Sequence, residues 1–140
     1  MAKLKILLFI CLFFTACKKE RTDYTLIPDV PVEIVLYTTQ PSFFPVGVVG
    51  GWMYVNGGSR GIILYRYSID EFRAYERHTP YKADKTCARA IVDSVNVVAV
   101  ELCDSSKYVL TTGAVLEGPA VLSLKQYNTS FDGNTLRIYN

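Results

Sequence analysis

The chain is poor in several residue types that would announce a function. It has one histidine, one tryptophan and two methionines in 140 residues, and a formal charge of only +2. A single imidazole, His78, excludes any site that needs two imidazoles from one chain. Long apolar runs are missing as well. The run Ile6 to Phe14 falls well short of the roughly 20 residues that span a bilayer. No segment carries the 3.6-residue periodicity and caps of a three-turn helix. There is no internal repeat and no low-complexity tract.

What is present begins at the N-terminus. Lys3 and Lys5 precede the apolar run, and Phe14-Thr15-Ala16-Cys17 follows it with small residues before a cysteine. Charge, apolar core and small-residue cleavage site, in that order, read as a secretory signal. The cleavage motif resembles a lipobox, with Phe14 where Leu is usual. That resemblance implies a signal peptide over 1–16, a diacylglyceryl thioether on Cys17, and acylation of its freed amine. Two or more acyl chains anchor durably, since each buried methylene contributes about 0.8 kcal/mol. The alternative is an ordinary secretory signal with an incidental cysteine.

Residues 17–31 read as a lipidated tether, because Lys18-Lys19-Glu20-Arg21-Thr22-Asp23 is charged and solvated. Lys18 after the cysteine, in place of Asp, points to an outer-membrane lipid anchor facing the periplasm or the cell surface. Loss of residues 1–16 takes Lys+Arg from 15 to 13, which matches the 13 Asp+Glu. The neutral remainder gives no basic field for nucleic acid. It is long enough for one domain, 32–140, with one modest core.

From Val32 onward the chain is rich in Val, Ile, Tyr and Phe and is interrupted by Gly and Pro. Strands are predicted at Val32–Tyr37, Trp52–Val55, Gly61–Tyr67, Phe72–Arg77, Ala88–Val92, Val97–Leu102, Lys107–Leu110, Leu124–Asn128 and Leu136–Tyr139. Asn56-Gly57-Gly58, Ser68–Asp70, Asp93–Asn96, Thr112-Gly113 and Asp132-Gly133-Asn134 supply turns between them. Short strands with regular turns mean an all-β fold, an antiparallel sandwich or partly open barrel. Trp52, Tyr54, Tyr65, Tyr67 and Tyr75 alternate along strands, and packing explains them before an exposed aromatic patch does. Cys11 leaves with the signal and Cys17 is consumed by lipid. Cys87 and Cys103 remain, and an exported protein most simply pairs them. The alternative is two separate buried thiols.

The C-terminal half carries an ordered set of short motifs. They are Thr79-Pro80-Tyr81, Glu101-Leu102-Cys103-Asp104-Ser105-Ser106-Lys107-Tyr108, the segment Thr112 to Ala120 with Gly118-Pro119-Ala120, Leu124-Lys125-Gln126-Tyr127, and Asp132-Gly133-Asn134. In this order they resemble a Rieske domain, whose Cys-x-His and Cys-Pro-x-His-Gly-Ser loops hold a [2Fe–2S] cluster. The resemblance runs from about Gly61 to Ile138 and implies a Rieske-like β fold with a small loop subdomain. It places Thr79, Tyr81, Glu101 and Asp104 where the cluster ligands would stand. A Rieske cluster takes two thiolates and two imidazoles, so the expectation is a degenerate site with no cofactor and no metal. It also puts Cys103 at the middle of the second loop, where many Rieske domains staple their two loops, and Cys87 after an insertion at Lys82–Thr86. The resemblance thus implies the same Cys87–Cys103 pair.

Other chemistry is compatible with fewer of the residues. Glu101, Asp104, Tyr81 and His78 could converge on a hard cation. His78 could act as a base toward Ser105 or Ser106, but nothing marks an oxyanion site. The glycines at 47, 50, 51, 57, 58 and 61 precede no helix and so form no phosphate loop. Asn128-Thr129-Ser130 matches a glycosylation sequon, which carries little weight in a bacterial lipoprotein. The leading expectation is a non-enzymatic membrane-anchored module that binds an envelope protein or glycan. The alternatives are electron transfer through an unconventionally held cluster, or a small metal-dependent enzyme.

Anchoring at Cys17 has a direct test. Intact mass of the membrane fraction is expected to show loss of residues 1–16 and gain of lipid mass, with Cys17→Ala blocking both. An unlipidated chain cut elsewhere refutes it.

Overall fold

A computed structural model describes residues 27–93, 95 and 97–140. The signal peptide 1–16, Cys17 and the tether as far as residue 26 lie outside the described residues. The strands are β1 (Glu33–Tyr37), β2 (Trp52–Val55), β3 (Ile62–Arg66), β4 (Phe72–Glu76), β5 (Ala90–Asp93), β6 (Val98–Glu101), β7 (Lys107–Val109), β8 (Val115–Glu117), β9 (Gln126–Phe131) and β10 (Thr135–Tyr139). A 3₁₀ helix, Pro41–Val46, follows β1. The described residues contain no α-helix.

The strands form a six-stranded sheet in the order β1-β10-β9-β4-β3-β2 and a four-stranded sheet in the order β5-β6-β7-β8. Every pairing is antiparallel. The all-β expectation therefore holds.

Strands β3 and β4 explain why there are two cores. A strand sends alternate side chains to opposite faces. Ile62 and Leu64 of β3, with Phe72 and Ala74 of β4, face a core shared with Val32, Phe43, Leu136 and Ile138. Ile63, Tyr65 and Tyr75 face the other way, into a core shared with Ala99, Tyr108, Leu110 and Leu124. The larger sheet curls around the first core, and the smaller sheet closes over the second. Each fully buried Ile or Leu contributes about 1.5–3 kcal/mol. A run such as Ile62-Ile63-Leu64-Tyr65 is apolar at every position because it is covered on both faces. Of the alternating aromatics, Tyr65 and Tyr75 are buried, whereas Tyr54 and Tyr67 are partly exposed.

Three differences from the sequence reading have physical reasons. β8 was not expected, because three residues between Gly113 and Gly118-Pro119 are too few to display alternation. The 3₁₀ helix also went unseen, as a single turn has no period to read. Pro41 and Pro45 preset its φ angles. Thirdly, residues 27–31, assigned above to the tether, lie against the domain. Ile27 is buried, Asp29 pairs with Lys125 at 2.7 Å, and the Val32 N–H donates to Asn140 Oδ1 at 2.8 Å.

The turn at Gly113 shows how tightly the second core is built. Its φ is +72°, and a Cβ there would stand 2.6 Å from Cε1 of Tyr75. Tyr75 is fully buried and has nowhere to move. Gly113→Ala is expected to lose about 1–3 kcal/mol by overpacking, with the positive φ adding to the loss. A urea midpoint equal to that of the parent would refute this packing.

Candidate functional site

β4 ends at Glu76, and the chain continues through Arg77 and His78 to Thr79. β6 ends at Glu101, and the chain continues through Cys103 and Asp104 to Ser106. The two segments meet. His78 bridges to Arg89, and Cys87 and Cys103 form a disulfide with their Cα atoms 5.1 Å apart. The bridge closes a loop of 16 residues, worth roughly 3 kcal/mol in the chain-entropy view. The pairing expected from the leftover cysteines is therefore present.

Three of the four degenerate ligand positions come together. The Thr79 hydroxyl donates to Glu101 Oε1 at 3.2 Å, and the Asp104 N–H donates to Glu101 Oε2 at 3.1 Å. Asp104 Oδ1 accepts from the Ser106 N–H at 2.8 Å. Thr79 and Glu101 are almost wholly inaccessible. Asp104 Oδ2 is buried and has no donor among the other groups. The Glu101 and Asp104 carboxyls lie within hydrogen-bonding reach of each other, so a proton carried by Glu101 satisfies that oxygen.

The electrostatics agree with this. Burial pushes Glu101 up to about 7, helped by the hydrogen bond to Asp104 and by its charge. Burial acts on Asp104 too, yet hydrogen bonds from Glu101 and Ser106 and the nearby Lys82 ammonium hold it below the usual carboxylate range. The two carboxyls share one proton, and Glu101 is its holder. Tyr81, the fourth position, does not join them. Its ring packs against the second core, with the Lys82 ammonium 5.1 Å above it.

A second buried network lies directly behind, at the end of β4, and the sequence reading missed most of it. The Glu76 carboxylate accepts four hydrogen bonds. They come from the N–H groups of Ser59, Arg60 and His78 at 2.7, 3.0 and 2.8 Å and from the Tyr127 hydroxyl at 2.7 Å. Gly58, at φ +62°, lies so close that a Cβ would strike Glu76 Oε2 and the Tyr127 hydroxyl. His78 Nε2 donates to the Ala83 carbonyl at 2.8 Å, and Nδ1 meets the Ser59 hydroxyl at 2.8 Å. Arg60 donates to the carbonyls of Lys85 and Ala88, both at 2.7 Å, and so holds the inserted loop. A signal for this network was legible: Glu76 follows Phe72 and Ala74 on the alternating apolar face of β4, and a buried carboxylate must find donors.

The geometry limits the chemistry. Ser59 and His78 are hydrogen-bonded, but the Ser59 and Arg60 amides that could serve as an oxyanion hole are taken by Glu76. His78 directs its two ring nitrogens to Ser59 and Ala83, not to Ser105 or Ser106. The Ser106 hydroxyl accepts instead from the Ala120 N–H at 3.0 Å, which ties the Gly118-Pro119-Ala120 turn to the second loop. Ser105 has φ +64°, the left-handed conformation that the glycine of a Cys-Pro-x-His-Gly-Ser loop would adopt without strain. Among the described residues no three of His, Cys, Asp and Glu are grouped for a metal ion.

Comparison with known proteins supports the fold. No protein-family model matches the chain, and no curated protein does. Solved structures do match. The plasma-membrane Rieske protein PetC3 of Synechocystis PCC 6803 superposes with a TM-score of 0.56 at 18% identity, over 75% of this chain and 99% of that one. The ferredoxin of carbazole 1,9a-dioxygenase from Nocardioides aromaticivorans IC177 superposes with a TM-score of 0.50 at 16% identity, over 78% of this chain and 96% of that one. The fold is Rieske-like.

The residues at hand do not fit a Rieske cluster. Such a cluster takes two thiolates and two imidazoles. Here the two cysteines among the described residues are bonded to each other, and both nitrogens of the one imidazole are engaged by Ser59 and Ala83. Hydroxyl and carboxyl oxygens suit hard cations and not iron–sulfide chemistry.

The shared proton has a pH signature. Because the folded state raises the affinity of Glu101 for its proton, that stability is complete below about pH 4.5 and is lost as pH rises through about 7. Glu101→Gln keeps a donor toward Asp104 and removes the charge. It is expected to abolish the loss between about pH 5 and pH 8, leaving the variant up to about 3 kcal/mol ahead at the upper end. Parallel stability–pH curves for parent and variant would refute the shared proton.

Proposed function

We propose that this chain is a lipid-anchored extracytoplasmic protein of the outer membrane whose Rieske-like domain binds another envelope component, protein or glycan, without a cluster and without catalysis. The observation that carries this reading is the Thr79–Glu101–Asp104 contact. Where the resemblance puts cluster ligands, the Thr79 hydroxyl and the Asp104 N–H both bond to the Glu101 carboxyl group. The disulfide, the Arg60 clamp on the inserted loop and the Ser106–Ala120 bond hold three loops in one rigid tip. Rigid loops on a β scaffold are a common way to present a binding surface.

Electron transfer is the second reading, favoured by neighbours that are a Rieske protein and a ferredoxin. One experiment separates the two. The purified domain is expected to be colourless above the protein absorption band, silent in electron paramagnetic resonance after dithionite, and free of iron and acid-labile sulfide. Stoichiometric iron and sulfide, in protein expressed alongside cluster-assembly machinery, would establish electron transfer and overturn the binding module.

A further inference from the structure

The end of the six-stranded sheet remote from Thr79 carries a feature that the tip does not use. Residues 34–59 include no charged side chain, although the chain has 28 Lys, Arg, Asp and Glu in all (15 and 13). Part of this stretch is exposed. Phe44, Val48 and Val49 stand 85%, 69% and 55% accessible on the loop between β1 and β2, and Ile69 is 71% accessible on the β3–β4 turn. Arg66 joins the two loops. Its guanidinium donates to the carbonyls of Gly47 and Ile69 at 2.7 and 2.6 Å and to those of Val46 and Ser68 at 3.2 Å. One planar cation thus gathers both loops at one place, with the Gly47 and Ile69 carbonyls on the same guanidinium.

Most backbone carbonyls at this end are occupied as well. Beyond the four carbonyls held by Arg66, the Phe44 carbonyl accepts from Gly47, the Val48 carbonyl from Gly51, and the Arg66 carbonyl from Gly50. A protein partner can supply bonds to open carbonyls. Hydrocarbon cannot, so any backbone that meets lipid must satisfy itself first. The charges at the rim cancel, with Arg66 and Arg73 against Asp70 and Glu71, and Arg73 pairs with Glu71 at 2.6 Å. Protruding apolar side chains on loops with most carbonyls occupied and a neutral rim suit the headgroup–acyl boundary of a bilayer, where water still reaches the remaining amides.

We infer that Phe44, Val48, Val49 and Ile69 form a face that seats the domain on the lipid bilayer. The inference rests on the lipid anchor proposed above for its biological setting. β4 separates this face from the Thr79 end by about 17 Å at 3.3 Å per residue. The ten residues 17–26 can reach at most about 33–36 Å. The bilayer that takes the acyl chains is therefore within reach of the face.

Two readouts test the anchor and the face separately. The full chain, carrying Trp52→Phe and Ile69→Trp, is reconstituted in phosphatidylcholine vesicles with brominated acyl chains, and its intact mass is recorded. The introduced indole is expected to be quenched and blue-shifted, equally with phosphatidylglycerol added and at low or high salt. Val48→Asp, with an unchanged melting temperature, is expected to abolish the quenching. If Trp52→Phe disturbs the fold, hydrogen exchange of the parent chain serves instead, with added protection at residues 40–51 and 67–71 on vesicles. Quenching without acyl mass supports the face and removes the anchor. Acyl mass without quenching or protection overturns the face and keeps the anchor. A dimer that shields position 69 from bromolipid assigns the face to a second copy and also overturns the inference.

Discussion

The double-sided burial of β3 and β4 is the constraint on which the rest of the structure depends. Ile62, Leu64, Phe72 and Ala74 hold one core, and Ile63, Tyr65 and Tyr75 the other. The hairpin is the shared wall of two hydrophobic compartments, so neither sheet can shift without exposing apolar surface on both sides. Its two ends are thereby fixed in opposite directions. At one end Glu76 delivers the chain to Thr79, and at the other Arg66 gathers two apolar loops. The hydrogen-bonded polar clusters described above lie at those two ends.

At the Thr79 end, hydrogen bonds do the structural work that metal coordination would do in a cluster-bearing domain. A cluster stitches loops together through strong soft-ligand bonds. This chain joins its loops by one disulfide, by a carboxyl pair with a shared proton, and by a carboxylate with four donors. The Glu76 arrangement is saturated, and a saturated buried network rigidifies. The Glu101–Asp104 pair is saturated only while it holds its proton, so rigidity at the tip is tied to pH. Arg60 adds a further clamp, because a fork of N–H donors can engage several carbonyls where a lysine would engage one.

The two ends also differ in the kind of partner each suits. The tip presents polar groups already bonded among themselves, around the partly exposed Tyr81 and the exposed Leu102. Recognition there would work through shape and a few peripheral contacts. The opposite end presents side chains without charge over loops whose carbonyls are mostly occupied. A domain held between a bilayer and a partner would use two such surfaces.

Much of this was legible in the sequence. Val, Ile and Tyr in short runs between Asn-Gly, Thr-Gly and Asp-Gly turns determine an all-β chain, since side-chain alternation and positive-φ turn residues are local properties. The pairing of Cys87 with Cys103 was an expectation from the sequence, with two separate thiols as its alternative, and the structure shows the bond. The order of motifs from Thr79 to Asp132 carried the fold, and the residue types at 79, 81, 101 and 104 ruled out thiolate and imidazole ligation before any coordinates. Tertiary structure decided what depends on residues far apart in sequence. It paired Thr79 with Glu101, left Tyr81 out, and found in Ser59, Arg60 and Tyr127 the donors for Glu76. It also packed residues 27–31 onto the domain and drew the Gly47 and Ile69 loops together through Arg66. Periodicity reports which face of a strand is apolar, whereas the partner of a buried polar group, or the neighbour of an exposed apolar one, is set only when the strands meet.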